Sequence, residues 1–375
     1  MILPGKTIGI LGGGQLGRMM AIAAREMGYK IAVLEPKSGS PCGQIADHEV
    51  ITAYDDPEGA RKLAEISDVI TYEFENVDLR TAEWLEENAN LPSGSRLLQL
   101  TQDREFEKKA IRESGAKVAK YAIVHDETEF REALSEIGFP SVVKTCRGGY
   151  DGKGQIVLRM EKDVEEAIGA FVGEQKAILE QWVPFEKELS VIVTRSVSGE
   201  VKTFPVAENI HRDNILHQTI EPAKISGEIN RKATEVALGL ADSFDLVGTL
   251  AVEMFLSEDG EIFVNELAPR PHNSGHFSID ACETSQFQQH IRAICDWPLG
   301  DTTLLKPAVM VNILGEDLQR SFDLIDQYDN VKYHLYGKDG AKPKRKMGHV
   351  TVLADTLDEA LNKADKLQFG TEAQG

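Results

Sequence analysis

Glu253 and Glu266 lie in two apolar runs that flank Asp259-Gly260, within LAVEMFLSEDGEIFVNELAPRPHNSGH at 250–276. Asp-Gly between such runs predicts a hairpin with a two-residue loop, both central residues taking positive φ. Counting back from that loop sets Glu258 against Glu261 and Glu253 against Glu266, so two carboxylates share one sheet face. At roughly 5 Å and an effective dielectric of about 20 they repel by roughly 3 kcal/mol. An ordinary cross-strand pair returns only about 0.2–1 kcal/mol. A divalent cation reverses the sign, and hard oxygen ligands with room for phosphate suit Mg²⁺. A solvated hairpin is the plain alternative; Val252, Met254, Leu256 and Phe263 argue for a buried one.

A nucleotide should accompany such a metal, and two further stretches could hold it. Lys144 ends a strand expected over 141–144, and four glycines follow between 148 and 154. That run lacks the Walker spacing, yet a strand lysine beside a glycine-rich flap is a recurring way to hold ATP phosphates. A strand over 177–181 then leads into Trp182-Val-Pro-Phe-Glu-Lys-Glu188, a crook suited to an adenine bounded by apolar side chains.

The elements that position these groups alternate. A strand over 6–11 runs into Gly12, Gly14 and Gly17, a G-x-G-x-x-G ahead of a helix, and a strand over 30–34 ends in Glu35. Alone this is the dinucleotide fingerprint and allows an NAD-dependent dehydrogenase. Physically it says only that a helix N-terminus favours an anion. Gln15, Glu35, Tyr72 and Glu73 fall at carboxyl ends of strands, where ligands of open α/β sheets sit. Helices are expected over 57–66 and 79–87, a linker over 94–101, and a charged helix carrying Arg104 over 103–114. A second βα unit (121–124, 128–137, 141–144) follows. Beyond it come strands over 189–194, 202–204, 310–314, 331–336 and 349–353, with helices over 228–241, 285–294 and 358–366.

At 375 residues the chain suffices for two or three domains. Its formal net charge of −20 opposes binding to nucleic acid or anionic lipid. Lys342-Pro-Lys-Arg-Lys346 is the sharpest basic cluster, either a solvated loop tip or an anion clamp. No run is long and apolar enough for a membrane span, and no secretory signal pattern opens the chain. Cys42, Cys146, Cys282 and Cys295 show no C-x-x-C spacing, which suits reduced thiols in the cytoplasm.

Together these parts resemble the ATP-grasp superfamily. Within it, GGGQLGRM at 12–19, YEFENV at 72–77, GGYDGKGQ at 148–155 and NELAPRPHNSGH at 265–276 are similar to the 5-(carboxyamino)imidazole ribonucleotide synthase family of purine biosynthesis. The resemblance implies an α/β ATP-grasp fold: a Rossmann-like N-terminal domain (1–102), a small glycine-flap lid (103–183) and a C-terminal metal-site domain (184–375). It implies that ATP phosphorylates bicarbonate to carboxyphosphate, which carboxylates 5-aminoimidazole ribonucleotide and leaves ADP and phosphate. A lid suits this chemistry, since carboxyphosphate hydrolyses quickly in water. Cofactors would be ATP and Mg²⁺, the latter on Glu253 and Glu266, and a homodimer is expected.

By the same resemblance ATP would meet Arg104, Lys144 and the flap residues Gly149, Tyr150, Asp151, Gly152, Lys153, Gly154 and Gln155. It would also meet Glu180, Gln181, Trp182, Val183, Glu188, His211, Asn265 and Glu266. The ribonucleotide would meet Gln15, Leu16, Glu73, Tyr150, Asp151 and Lys153, then His272, Asn273, Arg345 and Lys346. Asp151, Arg270 and Lys346 are the implied catalytic residues, with Arg345 and Lys346 on the 5′-phosphate. Many superfamily relatives place Glu-x-Asn-x-Arg on the metal strand; Ala268 stands at the asparagine's place here, which excludes a second-metal ligand there. A sister ligase acting on another amine or carboxylate is the near alternative. A catalytically dead ATP-binding regulator is a third, which the intact carboxylates oppose.

Overall fold

The computed structural model describes residues 1–149, 154–171, 173 and 176–370. The first 100 residues form a parallel four-stranded sheet, ordered His48–Val50, Lys30–Leu34, Thr7–Leu11, Val69–Tyr72. Ile8, Ile10, Leu11, Val33 and Leu34 are fully buried, as parallel strands covered on both faces require. Helix Gln15–Glu26 packs Leu16, Met19, Met20, Ala23 and Ala24 at helical spacing. Helix Pro57–Ile66 starts where Asp56 caps it and proline takes the first turn. Where a linker was expected over 94–101, a short helix, Arg96–Thr101, buries Leu97 and Leu98.

Strand Tyr121–Val124, helix Glu127–Ile137 and strand Ser141–Thr145 form the expected second βα unit, but its two strands are not adjacent. Strands Tyr121–Val124, Ala177–Gln181, Ser141–Thr145 and Gln155–Leu158 pair antiparallel in that order. The later strand, Ala177–Gln181, inserts between the two that sequence order would have made neighbours.

The largest sheet is antiparallel throughout, running Ile262–Ala268, Gly248–Ser257, Phe185–Arg195, Ala207–Arg212, Ile215–Glu221, Ala308–Leu314, Lys346–Leu353, Val331–Leu335. Val201–Thr203 adds a ninth strand beside Phe185–Arg195. The strands over 207–221 were not anticipated, because Glu208, Asn209 and His211 break their apolar pattern. Inside the sheet Asn209 donates to Ser190 Oγ and accepts from Thr219 Oγ1, both at 2.9 Å, so a buried polar layer replaces the apolar signal. Their turn is Asp213-Asn214, with φ of 49° and 62°, the mirror-image geometry of a two-residue hairpin loop.

That geometry was expected instead at Asp259-Gly260, where only Gly260 has positive φ. Gly260 N donates to Ser257 O, and Ser257 N to Glu261 O, both at 3.0 Å. The loop therefore has three residues, and Phe255 faces Phe263 and Met254 faces Val264. A bulge at Asn265 then shifts the register back, so that Glu253 does face Glu266. Two one-residue departures cancel. The bulge also explains why two partly exposed residues, Asn265 and Glu266, separate buried Val264 from buried Leu267.

Glu221 is wholly buried, and neither carboxylate oxygen has a partner among the described residues. Burial alone pushes its carboxyl well above the usual range. The folded state therefore holds a proton that the unfolded chain releases, so stability is greatest below the unfolded value and declines as pH rises. Glu221→Met should stabilise by about 1–3 kcal/mol, the cost of an unmet buried polar group, with the gain in melting temperature widening from pH 5 to pH 9. A gap that is flat or reversed over that range would refute this.

Candidate active site

Helix Arg104–Glu113 faces the outer edge of strand Ile262–Ala268 and fills its unpaired backbone groups. Lys108 Nζ donates to Asn265 O at 2.7 Å, and Glu107 Oε1 accepts from Leu267 N at 2.7 Å. Arg104 Nη1 lies 3.5 Å from Glu266 Oε2. Residues 104, 107 and 108 share one helix face by their spacing. Lys108 was not singled out in the sequence, where a run of charges reads as a solvated face, yet it is almost fully buried.

From the lid, Lys144 Nζ donates to Glu180 Oε2 at 3.1 Å, and Lys108 Nζ lies 3.6 Å from the same oxygen. Burial alone would raise the Glu180 carboxyl, but Lys108, Lys144 and Arg104 outweigh it and hold it at about 2. Glu180 is thus an anion inside a cationic nest. Its Oε1 is buried without a partner among the described residues, an acceptor suited to an amino group. Burial lowers Lys144, and repulsion from Lys108 and Arg104 adds to it against what Glu180 restores. Glu107 is raised by burial to about 7 despite Arg104 and Lys108.

Glu253 is raised by burial and then by Glu266, to about 8. His272 Nε2 lies 3.3 Å from Glu253 Oε1. Burial and the nearby Arg270 keep His272 far below the usual histidine range, so the two groups meet as neutral neighbours and not as an ion pair. His211 Nδ1 lies 2.8 Å from Glu188 Oε2, close enough to pair as charges though out of line for a hydrogen bond. Arg270 Nε donates to Glu75 at 2.5 Å, and Asn273 exchanges amide hydrogen bonds with Asn312 at 3.0 and 2.7 Å.

A cleft of about 490 Å³ gathers these groups. Of the expected ATP contacts it is lined by Arg104, Lys144, Gly149, Gly154, Gln155, Glu180, Gln181, Trp182, Val183, Glu188, His211, Asn265 and Glu266. Glu253, Gln15, Leu16, Arg270, His272, Asn273 and Lys346 line it too. Tyr150, Asp151, Gly152 and Lys153 lie outside the described residues. Two expected residues are placed elsewhere. Arg345 does not line the cleft, and its Nη1 turns to loop carbonyls, donating to Asp339 O and, at 2.9 Å, to Gly340 O. Glu73 is buried beneath the first glycine loop, accepting from Gly14 N at 2.5 Å and Gly17 N at 2.8 Å. Gly13 N donates to Glu35 at 2.9 Å. The loop amides that would cradle a pyrophosphate are therefore filled by the chain's own carboxylates, which removes the basis of the dehydrogenase reading.

Among the described residues no group of three or more His, Cys, Asp or Glu can hold a metal. A carboxylate pair fits Mg²⁺ nonetheless, since that ion is held by one or two carboxylates, water and substrate phosphates. The apposed pair of Glu253 and Glu266 is such a donor set.

A four-stranded antiparallel sheet that brings a cationic nest beside paired carboxylates defines an ATP-grasp enzyme. The ATP-grasp domain family matches residues 109–287, the ribonucleotide synthetase preATP-grasp domain 5–102, and the phosphoribosylaminoimidazole carboxylase C-terminal domain 308–363. N5-carboxyaminoimidazole ribonucleotide synthase of Bacillus subtilis (strain 168) is 56% identical over 359 residues, covering 96% of this chain and 94% of the relative. The crystal structure of an ADP complex of an N5-carboxyaminoimidazole ribonucleotide synthetase superposes with a TM-score of 0.96 at 61% identity, covering 98% and 97% of the two chains. The Aspergillus clavatus synthase in complex with ADP and 5-aminoimidazole ribonucleotide gives 0.91 at 33% identity, over 96% and 97%. The chain belongs to the N5-carboxyaminoimidazole ribonucleotide synthase family.

Proposed function

We infer that the protein carboxylates 5-aminoimidazole ribonucleotide at the expense of ATP and bicarbonate, a step of purine biosynthesis. The carrying observation is that one cleft holds the Glu180–Lys108–Lys144 nest, the Glu253–Glu266 pair and the Arg270–His272–Asn273 loop. The nest takes ATP, with the unpartnered Glu180 Oε1 accepting from the adenine amino group. Bound at Glu253 and Glu266, Mg²⁺ would supply charge neutralisation for the phosphates. Lys144 and Arg104 flank the phosphoryl group moving from ATP to a bicarbonate oxygen, so its charge is met by fixed cations. Arg270, held by Glu75, and His272 orient the bicarbonate. Carboxyphosphate then releases CO₂ to the ribonucleotide amine, which loses a proton on forming the carbamate. Excluding water from this intermediate is the part that family resemblance gives to the glycine-rich stretch with Asp151. We further propose that 1–102, 103–183 and 184–375 act as substrate, lid and catalytic units, in a cytoplasmic homodimer. Family resemblance supports the dimer, and the four buried unbridged cysteines suit a reducing compartment. Among the described residues no helix is long and apolar enough to cross a membrane.

The deciding experiment is ADP release in bicarbonate with and without 5-aminoimidazole ribonucleotide; stimulation by the ribonucleotide is expected, and its absence would overturn the reading. The placement of the basic cluster refines one expectation. Lys346→Ala should raise the Michaelis constant for the ribonucleotide about ten- to a hundredfold, the loss of a charge-assisted contact, with little effect on that for ATP. Arg345→Ala should change it only a fewfold. Equal losses from the two variants would restore Arg345 as a direct phosphate ligand.

A further inference from the structure

Gln286, at the start of helix Gln286–Ile294, is completely buried and spends its side chain on the loop at 272–276. Its Oε1 accepts from His272 N at 2.9 Å, and its Nε2 donates to His272 O at 2.7 Å. These two contacts fix which end of the amide is which, because a backbone N–H can only donate and a carbonyl only accept. The same Nε2 lies 3.1 Å from His276 Nδ1. A nitrogen that bears only hydrogens as its polar function cannot accept, so His276 Nδ1 must be the acceptor and carries no proton.

His276 is buried among rings, 4.7 Å from His349 and 5.6 Å from Phe287 between centroids, yet it lines the cleft beside Lys346 and Tyr336. Its Nε2 has no hydrogen-bond partner among the described residues. Burial, then the neighbouring His334, Lys346 and Arg270, keep the ring far below the usual histidine range, hence neutral. A neutral ring with a bare Nδ1 holds its one proton on Nε2.

We propose that Gln286 is a positioning residue that fixes His276 as the Nε2–H tautomer, a neutral hydrogen-bond donor to an acceptor atom of the imidazole ribonucleotide. This deepens the proposed reaction and rests on it for the ligand. An imidazolium at this position would add a third positive charge beside Lys346 and Arg270. A neutral donor orients the ligand without competing for the anionic reactants. Gly275 completes the device: a Cβ there would lie 2.5 Å from Gln286 Oε1 and 2.7 Å from its Cδ, so only glycine lets the amide lie flat against the loop.

The test uses the full chain labelled with ¹⁵N-histidine, its His276 signals assigned by their loss in His276→Ala. Long-range proton–nitrogen correlation should show Nε2 protonated and Nδ1 bare in the wild type. Gln286→Glu keeps the shape and the acceptor for His272 N but removes the donor to Nδ1, so the tautomer should invert or the ring take up a second proton. The Michaelis constant for the ribonucleotide should rise about tenfold in Gln286→Glu and in His276→Ala, with that for ATP within about twofold. His276→Gln, which retains a neutral N–H donor, should recover part of the loss. A wild-type ring protonated at Nδ1 or at both nitrogens overturns the proposal, and that measurement stands even if Gln286→Glu does not fold. An unchanged tautomer and unchanged constants in a folded Gln286→Glu overturn it too. Failure of the reaction itself would appear separately, as wild-type ADP release indifferent to the ribonucleotide, since the tautomer readout needs no turnover.

Discussion

Glu266→Gln should lower ATP turnover by about a hundred- to a thousandfold or more, and Glu253→Gln should do the same, while both fold normally without Mg²⁺. The loss follows from removing one of two anionic donors at the point where phosphate charge must be neutralised. The folding expectation follows from the electrostatics. Glu253 is raised to about 8 by burial and by Glu266, so at neutral pH its carboxyl is mostly protonated and a glutamine resembles it closely. Glu266→Gln removes the neighbour that opposes ionisation of Glu253. What it forfeits is a half-exposed contact with Arg104 at 3.5 Å, which is screened by solvent. Melting temperatures in a chelator should therefore stay within a few degrees of wild type, whereas the stabilisation that Mg²⁺ and ADP give together should disappear. Full turnover in either variant would take the hairpin out of the mechanism.

Lys108→Met should be the most damaging change at a residue that need not touch either substrate. Lys108 ties strand Ile262–Ala268 to strand Ala177–Gln181 by serving Asn265 O and Glu180 together. Its loss leaves a buried carbonyl unserved and one carboxylate with fewer cations. Removing one partner of a buried charge pair costs about 3–5 kcal/mol. Part of that should appear as a lower melting temperature and part as a Michaelis constant for ATP raised at least about tenfold. Arginine at 108 keeps the charge but not the slender tip that fits between two strands, so Lys108→Arg should rescue stability better than ATP binding. If Lys108→Met melts with the wild type and binds ATP normally, the tie is ornamental.

Why some of this was legible in the sequence and some was not comes down to which interactions are local. Helix Pro57–Ile66 announces itself through its cap and its proline, and strand Ala177–Gln181 through an apolar run with clean ends. The apposition of Glu253 and Glu266 was also anticipated, although by a turn that the chain does not make; the three-residue loop and the bulge restored it. Lys108 escaped notice because its partners, the Glu180 carboxylate and the Asn265 carbonyl, lie 72 and 157 positions away in sequence, with no local signature. The strands over 207–221 escaped because a buried layer of Ser190, Asn209 and Thr219 looks polar one residue at a time. Gly12, Gly14 and Gly17 misled in the opposite sense. Their spacing reports a tight turn into a helix, while the groups occupying the amides, Glu35 and Glu73, come from other strands.

The carboxylate hairpin has a second way to bring its two glutamates together. Twelve residues separate Glu253 from Glu266, and they can be arranged as a three-residue loop with the bulge at Asn265 or as a two-residue loop with no bulge. The pairs between differ. Phe255 faces Phe263 and Met254 faces Val264 in the first, whereas Phe255 would face Val264 and Met254 would face Asn265 in the second. The carboxylate pair is therefore indifferent to a slip of the arm, and the packing of Met254 and Val264, both buried, selects the register.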